Sequence, residues 1–145
     1  MERTLDERQL GNALIRKYTL AWLALVVVAI INGALREAWY KPSVGDLAAH
    51  QISTATGIIF FGLLIWGMSR LWPIQSAVQA WCIGFIWLGM TVCFEFFFGH
   101  YVMGHSWGAL FHDYNILEGR LWILVLLWTV SAPYVVFRFF HGGAH

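Results

Sequence analysis

The sequence predicts an all-α integral membrane protein, a single bundle of four transmembrane helices with both termini in the cytoplasm. Three observations predict it. The apolar fraction is 59% and the charged fraction 12%, against roughly 45–50% and about 25% in ordinary soluble domains. Four apolar runs each approach the roughly 20 residues needed to cross a hydrocarbon core of about 30 Å. Lysine and arginine fall unevenly on alternate connections, the asymmetry that sets orientation. In a chain of 145 residues these runs leave no room for a separate soluble domain.

Within a cytoplasmic N-terminal segment over 1–17, residues 2–14 mix Glu2, Arg3, Asp6, Glu7 and Arg8 with Leu5, Leu10 and Leu14, which suits a short helix on the cytoplasmic membrane surface or a solvated tail. The first span is expected over about 18–36. Its apolar run is too long for a signal peptide and lacks a small-residue cleavage site, so it reads as a retained anchor. Lys41-Pro42-Ser43 and Gly45-Asp46 break the chain before a second span over about 50–68. Trp72-Pro73 breaks it before a third over about 77–98, and a glycine-, histidine- and asparagine-containing stretch before a fourth over about 120–138. Pro133, inside the fourth, removes one backbone donor, a defect that packed transmembrane helices tolerate.

Arg3, Arg8, Arg16 and Lys17 precede the first span, Arg70 lies between the second and third, and Arg138 follows the fourth. The opposite side has only Arg36, Lys41 and Arg120. That bias puts both termini in the cytoplasm, in a plasma or inner membrane. The net charge of +1 provides no electrostatic footprint for nucleic acid; the lipid bilayer is the expected partner, with other membrane subunits or further copies of the chain possible beside it. Cys82 and Cys93 lie eleven positions apart in one run, about 16 Å on a helix and too far for a disulfide.

Trp39, Trp72, Trp107 and Trp122 fall near span ends, where an amphipathic ring suits the interface. Trp22, Trp66, Trp81, Trp87 and Trp128 lie deeper or face lipid and call for no functional reading. Glycines recur at five-residue steps, at Gly57, Gly62 and Gly67, at Gly84 and Gly89, and at Gly99 and Gly104. Successive members sit about 140° apart on a helix, so they mark independent sites of close approach, not one groove.

Alternating helix direction gathers the polar span ends on one side of the membrane. There Asn32, Arg36 and Glu37 finish the first span, and His50, Gln51, Ser53 and Thr54 begin the second. Glu95, His100 and His105 finish the third, and His112, Asp113, Tyr114, Asn115, Glu118 and Arg120 precede the fourth. Glu95 is the most informative, because a carboxylate among Phe94, Phe96, Phe97 and Phe98 costs several kcal/mol unless paired, protonated or wetted. A salt bridge to Arg36 or Arg120 is its expected structural role. The sharper expectation is an outer-face pocket of Arg36, His50, Glu95, His100 and Arg120.

His50, Glu95 and His100 form a candidate ligand set for zinc, copper or iron, and the two imidazoles a candidate haem site. The five-residue offset from Glu95 to His100 turns them about 140° apart on a regular helix, so convergence needs a break at Gly99. The stretch from Gly99 to Asn115 lacks lysine and arginine and is too apolar for a solvated loop, which points to a cap over the polar helix ends. There is no nucleophile elbow, phosphate-cradling loop or dinucleotide fingerprint. Three readings follow: a protein binding or moving a small ligand or ion, a structural or accessory membrane subunit, and a metal- or haem-binding protein. Whether any of them includes catalysis stays open.

Overall fold

The structure, a computed structural model, describes residues 2–112 and 114–142, with side chains from residue 9 onward except at 116. Among the described residues every regular element is helical. α1 (Glu2–Leu35) passes through a single π turn, Arg36–Tyr40, into the short α2 (Lys41–Val44). α3 (Asp46–Leu71) and α4 (Ala77–Phe97) follow; a second π turn, Phe98–Val102, leads to α5 (Trp107–His112), a 3-10 turn at Ile116–Glu118, and α6 (Trp122–His141). Helical segments containing α1, α3, α4 and α6 are long and apolar enough to cross a membrane.

Two expectations about the first half are corrected. Residues 2–17 are not a separate surface helix or tail but the opening turns of α1, whose 34 residues run about 50 Å at the α-helical rise. This segment has no proline and is rich in Glu, Arg and Leu, so nothing in it stops the helix. The side chains of 2–8, which carry the expected polar face, lie outside the described residues. Nor does Lys41-Pro42-Ser43 break the chain. Pro42 falls in the first turn of α2, where a missing N–H is tolerated, and helical structure persists until Gly45 at φ +86°. The second connection breaks as expected: Trp72 is extended ahead of Pro73, and the Ser76 hydroxyl caps α4 by accepting from the Gln79 N–H at 3.2 Å.

Around the bundle, α1 packs between α3 and α4, and α6 packs between the same two helices on the far side. Spans two and three, adjacent in sequence, are therefore diagonal. Tyr18, fully buried, holds three helices together. Its hydroxyl donates to the Trp72 carbonyl at 2.9 Å and lies 3.2 Å from Ser69 Oγ, and its own carbonyl accepts from Trp87 Nε1 at 2.8 Å. Trp22 Nε1 donates to Thr91 Oγ1 at 3.0 Å. Trp22 and Trp87 are thus buried cross-helix donors and not lipid-facing rings. Farther along α1, Asn32 Nδ2 donates to the Ser53 carbonyl at 2.8 Å while its Oδ1 accepts from Thr56 at 2.9 Å.

The five-step glycines are independent, but only some are close approaches. Gly67 and Gly89 face open space, whereas a Cβ on Gly84 would fall on the Val130 carbonyl of α6. Here the backbones of α4 and α6 approach so closely that only glycine fits. Pro133, fully buried on α6, lies one turn on from Thr129, whose hydroxyl donates to the Val125 carbonyl at 2.7 Å. We expect Gly84→Ala to lower the unfolding free energy by about 1–3 kcal/mol through forced separation of the helices. Gly89→Ala should raise it by roughly 0.5–1 kcal/mol through helix propensity alone. Denaturation of the purified variants in detergent micelles measures both, and equal responses would contradict the packing.

Candidate functional site

The polar end lies where α1 and α4 finish and α3 and α6 begin. Glu95 sits in the last turn of α4, part-buried. One carboxylate oxygen accepts a short hydrogen bond from the Tyr114 hydroxyl, and the other accepts from Trp122 Nε1 at 2.7 Å. Tyr114 belongs to the connection and Trp122 to the first turn of α6, so one side chain fastens three elements. The described ion pairs of the two expected arginines go to other acids: Arg36 Nε to Glu37 at 3.1 Å and Arg120 Nη2 to Asp46 at 2.7 Å. The donors described for Glu95 are neutral.

The connection folds over this end as the predicted cap. Phe96 is its platform, with the rings of Phe111, Tyr114 and Trp107 at 5.1, 5.8 and 6.3 Å. Leu110 docks over Gly99, where a Cβ would come within 2.6 Å of a leucine methyl. Glycines at positive φ, Gly104 (+71°) and Gly119 (+79°), make the turns on either side of it. A chain of exposed ion pairs completes the end: Lys41 Nζ reaches Glu37 at 2.7 Å and Asp46 at 3.0 Å, and Asp46 holds Arg120. Each such pair is worth little alone. Together they join the extension of α1 to the starts of α3 and α6. His112 Nε2 pairs with Glu118 at 3.2 Å within the cap.

The five predicted residues all lie at this end, and the described contacts of Arg36 and His100 go to residues outside the five. The helical irregularity at Gly99 is present as the π turn, yet His100 follows the connection: its Nδ1 donates to the His105 carbonyl at 2.8 Å and its ring stacks on Trp107 at 4.0 Å. His50 is buried on α3, diagonal to α4. No three His, Cys, Asp or Glu side chains among the described residues group as metal ligands, so His50, Glu95 and His100 are not assembled as one. The two cavities described lie elsewhere: one of about 270 Å³ at the opposite end of the bundle, the other of about 460 Å³ between α3 and α6. Asp113 lies outside the described residues.

Tyr114 was legible only as one polar residue in the connection, and Trp122 only as an interfacial ring. The available signal for Trp122 was its place two residues beyond Arg120, at the polar start of the fourth span. By position in the chain, the polar end has Glu37, Asp46, Glu95, Asp113 and Glu118 against Arg36, Lys41 and Arg120, a net of −2 with histidines neutral. The other end has Glu2, Asp6 and Glu7 against Arg3, Arg8, Arg16, Lys17, Arg70 and Arg138, a net of +3.

Fold and site together define an all-helical bundle with four membrane-length helices and an ionisable cluster at one end. No family model matches the chain, and no curated protein or solved structure matches it either.

Glu95→Gln keeps an acceptor for Trp122 and a donor for Tyr114, whereas Glu95→Leu strands an indole N–H and a phenol. We expect the leucine variant to be the less stable by about 1–3 kcal/mol. Thermal unfolding of the two in the same detergent decides it, and equal stability would show that the carboxylate does not secure the cap.

Proposed function

We propose that this chain is a small polytopic membrane protein that binds or moves a small cation at its polar end, with Glu95 as the group that meets it. The observation that carries this reading is the carboxylate gripped by a phenol and an indole drawn from two further elements. Such donors hold a carboxylate in one orientation. The net −2 charge of the same end adds a field that attracts cations. In this reading His50, Glu95 and His100 line the polar end, with Arg36 and Arg120 behind them.

A second reading, a structural or accessory subunit, is favoured by the Glu37–Lys41–Asp46–Arg120 chain, in which charges neutralise one another within the fold. Binding separates the two. Sodium, potassium, magnesium and a small primary amine, titrated into the purified protein, should include one that raises thermal stability saturably. Glu95→Gln and His50→Ala should abolish that response, while Gln79→Ala at the far end keeps it. The same behaviour in all three variants would leave only the structural reading.

We propose further that both termini face the cytoplasm, in a plasma or inner membrane, on the strength of the charge asymmetry. Single cysteines at Ser43 and at Ser106, in a background lacking Cys82 and Cys93, should react with an impermeant reagent applied from outside. Labelling from the cytoplasmic side alone would reverse the orientation.

A further inference from the structure

The end of the bundle opposite Glu95 has a site of different chemistry. Where α3 and α6 finish, a cavity of about 270 Å³ opens between Arg70, Pro73, Ile74, Phe137, Phe140 and His141. The Arg70 guanidinium lies 5.5 Å from the ring centroids of both Trp66 and Phe140. Stacking engages the faces of a guanidinium and leaves its in-plane N–H groups for an acceptor. No carboxylate pairs with Arg70 among the described residues. His141 stacks on Phe137 at 4.5 Å and donates Nδ1–H to the Phe137 carbonyl at 3.0 Å, leaving Nε2 as its second polar atom. Lys17 Nζ lies 5.8 Å from the ring of Trp72, the neighbour of Pro73. From residue 9 onward this end has Arg16, Lys17, Arg70 and Arg138 and no acidic residue.

The cavity does not stand alone. The apolar groove of about 460 Å³ between α3 and α6 includes Gly62, Trp66, Trp128, Val135 and Phe139 in its walls. Trp66 therefore belongs to the groove and also carries Arg70 on its face. A cation-lined hollow at the end of membrane-length helices, next to an apolar trough along them, matches a molecule with an anionic head and a hydrocarbon tail. The hollow falls just below the roughly 300–1,000 Å³ of sites that enclose a whole small ligand, so it is suited to a headgroup whose chains lie outside it.

We infer that this cavity binds the phosphate of an anionic phospholipid, with Arg70 as the phosphate-binding residue and one acyl chain in the α3–α6 groove. A fixed guanidinium is a strong partner for a phosphate oxygen, and basic pockets between membrane helices are where such headgroups lodge.

The test uses the full chain purified in a non-ionic detergent. Its thermal unfolding is followed with added phosphatidylglycerol, phosphatidylcholine or inorganic phosphate, for the natural sequence, Arg70→Gln and Arg16→Gln. Phosphatidylglycerol should stabilise the natural chain, and Arg70→Gln should weaken the apparent affinity by about tenfold or more. Arg16→Gln, which removes the same charge from the same end, should leave it within about twofold, since diffuse attraction is spread over several cations. Stabilisation by inorganic phosphate or phosphatidylcholine equal to that by phosphatidylglycerol would overturn the proposal, as would equal losses in the two variants. Should Arg70→Gln not fold, Arg70→Lys takes its place. It keeps the charge but loses the stacked fork, so it should still bind more weakly than Arg16→Gln, and affinity equal to that of the natural chain would overturn the proposal.

Discussion

Polar atoms carried into an apolar bundle must find their partners within it, because hydrocarbon offers none. That constraint organises this molecule more than any single apolar contact. Tyr18, Trp22 and Asn32 of α1 and Trp87 of α4 each reach another helix or connection. Tyr18 ties α1 to the end of α3, and Trp87 returns from α4 to the Tyr18 carbonyl. Asn32 uses both ends of its amide on α3. Cross-helix bonds of this kind are worth about 0.6–2 kcal/mol each in membrane proteins, so their value lies as much in register as in stability. A one-residue slip of α1 would unmake several at once.

Close packing supplies the complementary constraint on α6. Association between membrane helices gains little from expelling water, so it depends on how near the backbones come. Gly84 against Val130 is a close backbone approach between α4 and α6. It sits away from the polar end, while Glu95 and Trp122 join the same two helices at that end. One contact sets the distance between the helices and the other closes their ends. α3 and α1 then pack onto the pair, which explains why α3 and α4 finish on a diagonal despite the short connection between them.

Much of this was legible in the sequence. The number of membrane-length helices follows from apolar run length, and the crowding of polar residues at one end follows from alternating helix direction. Pairings were not legible. Charge alone makes Arg36 and Arg120 the expected partners for Glu95, and it gives no reason to expect the bonds that Tyr114 and Trp122 make to it. His50 and His100 sit near span ends on consecutive spans, which suggests neighbours. Only the order of helices around the bundle shows that they lie on diagonal elements, and a five-residue offset could not foretell the π turn that carries His100 to Trp107. Trp22 and Trp87 could be placed only as deep or lipid-facing for a related reason: an indole that packs inside a bundle and one that faces lipid have the same hydropathy.

The way Glu95 is held also constrains what its proposed ligand can do. A carboxylate offers about four lone-pair sites, and Tyr114 and Trp122 occupy one on each oxygen. A cation that binds without replacing either donor leaves the cap shut. One that replaces a donor must first recover the roughly 1.5–3 kcal/mol of a hydrogen bond to a charged group. The two donors are not equally easy to replace. Trp122 is fixed in the first turn of α6, whereas Tyr114 sits in an irregular stretch held by ring contacts to Phe96 and a turn at Gly119. Displacement would therefore fall on Tyr114 and loosen the cap, making entry to the site and release of the connection a single event.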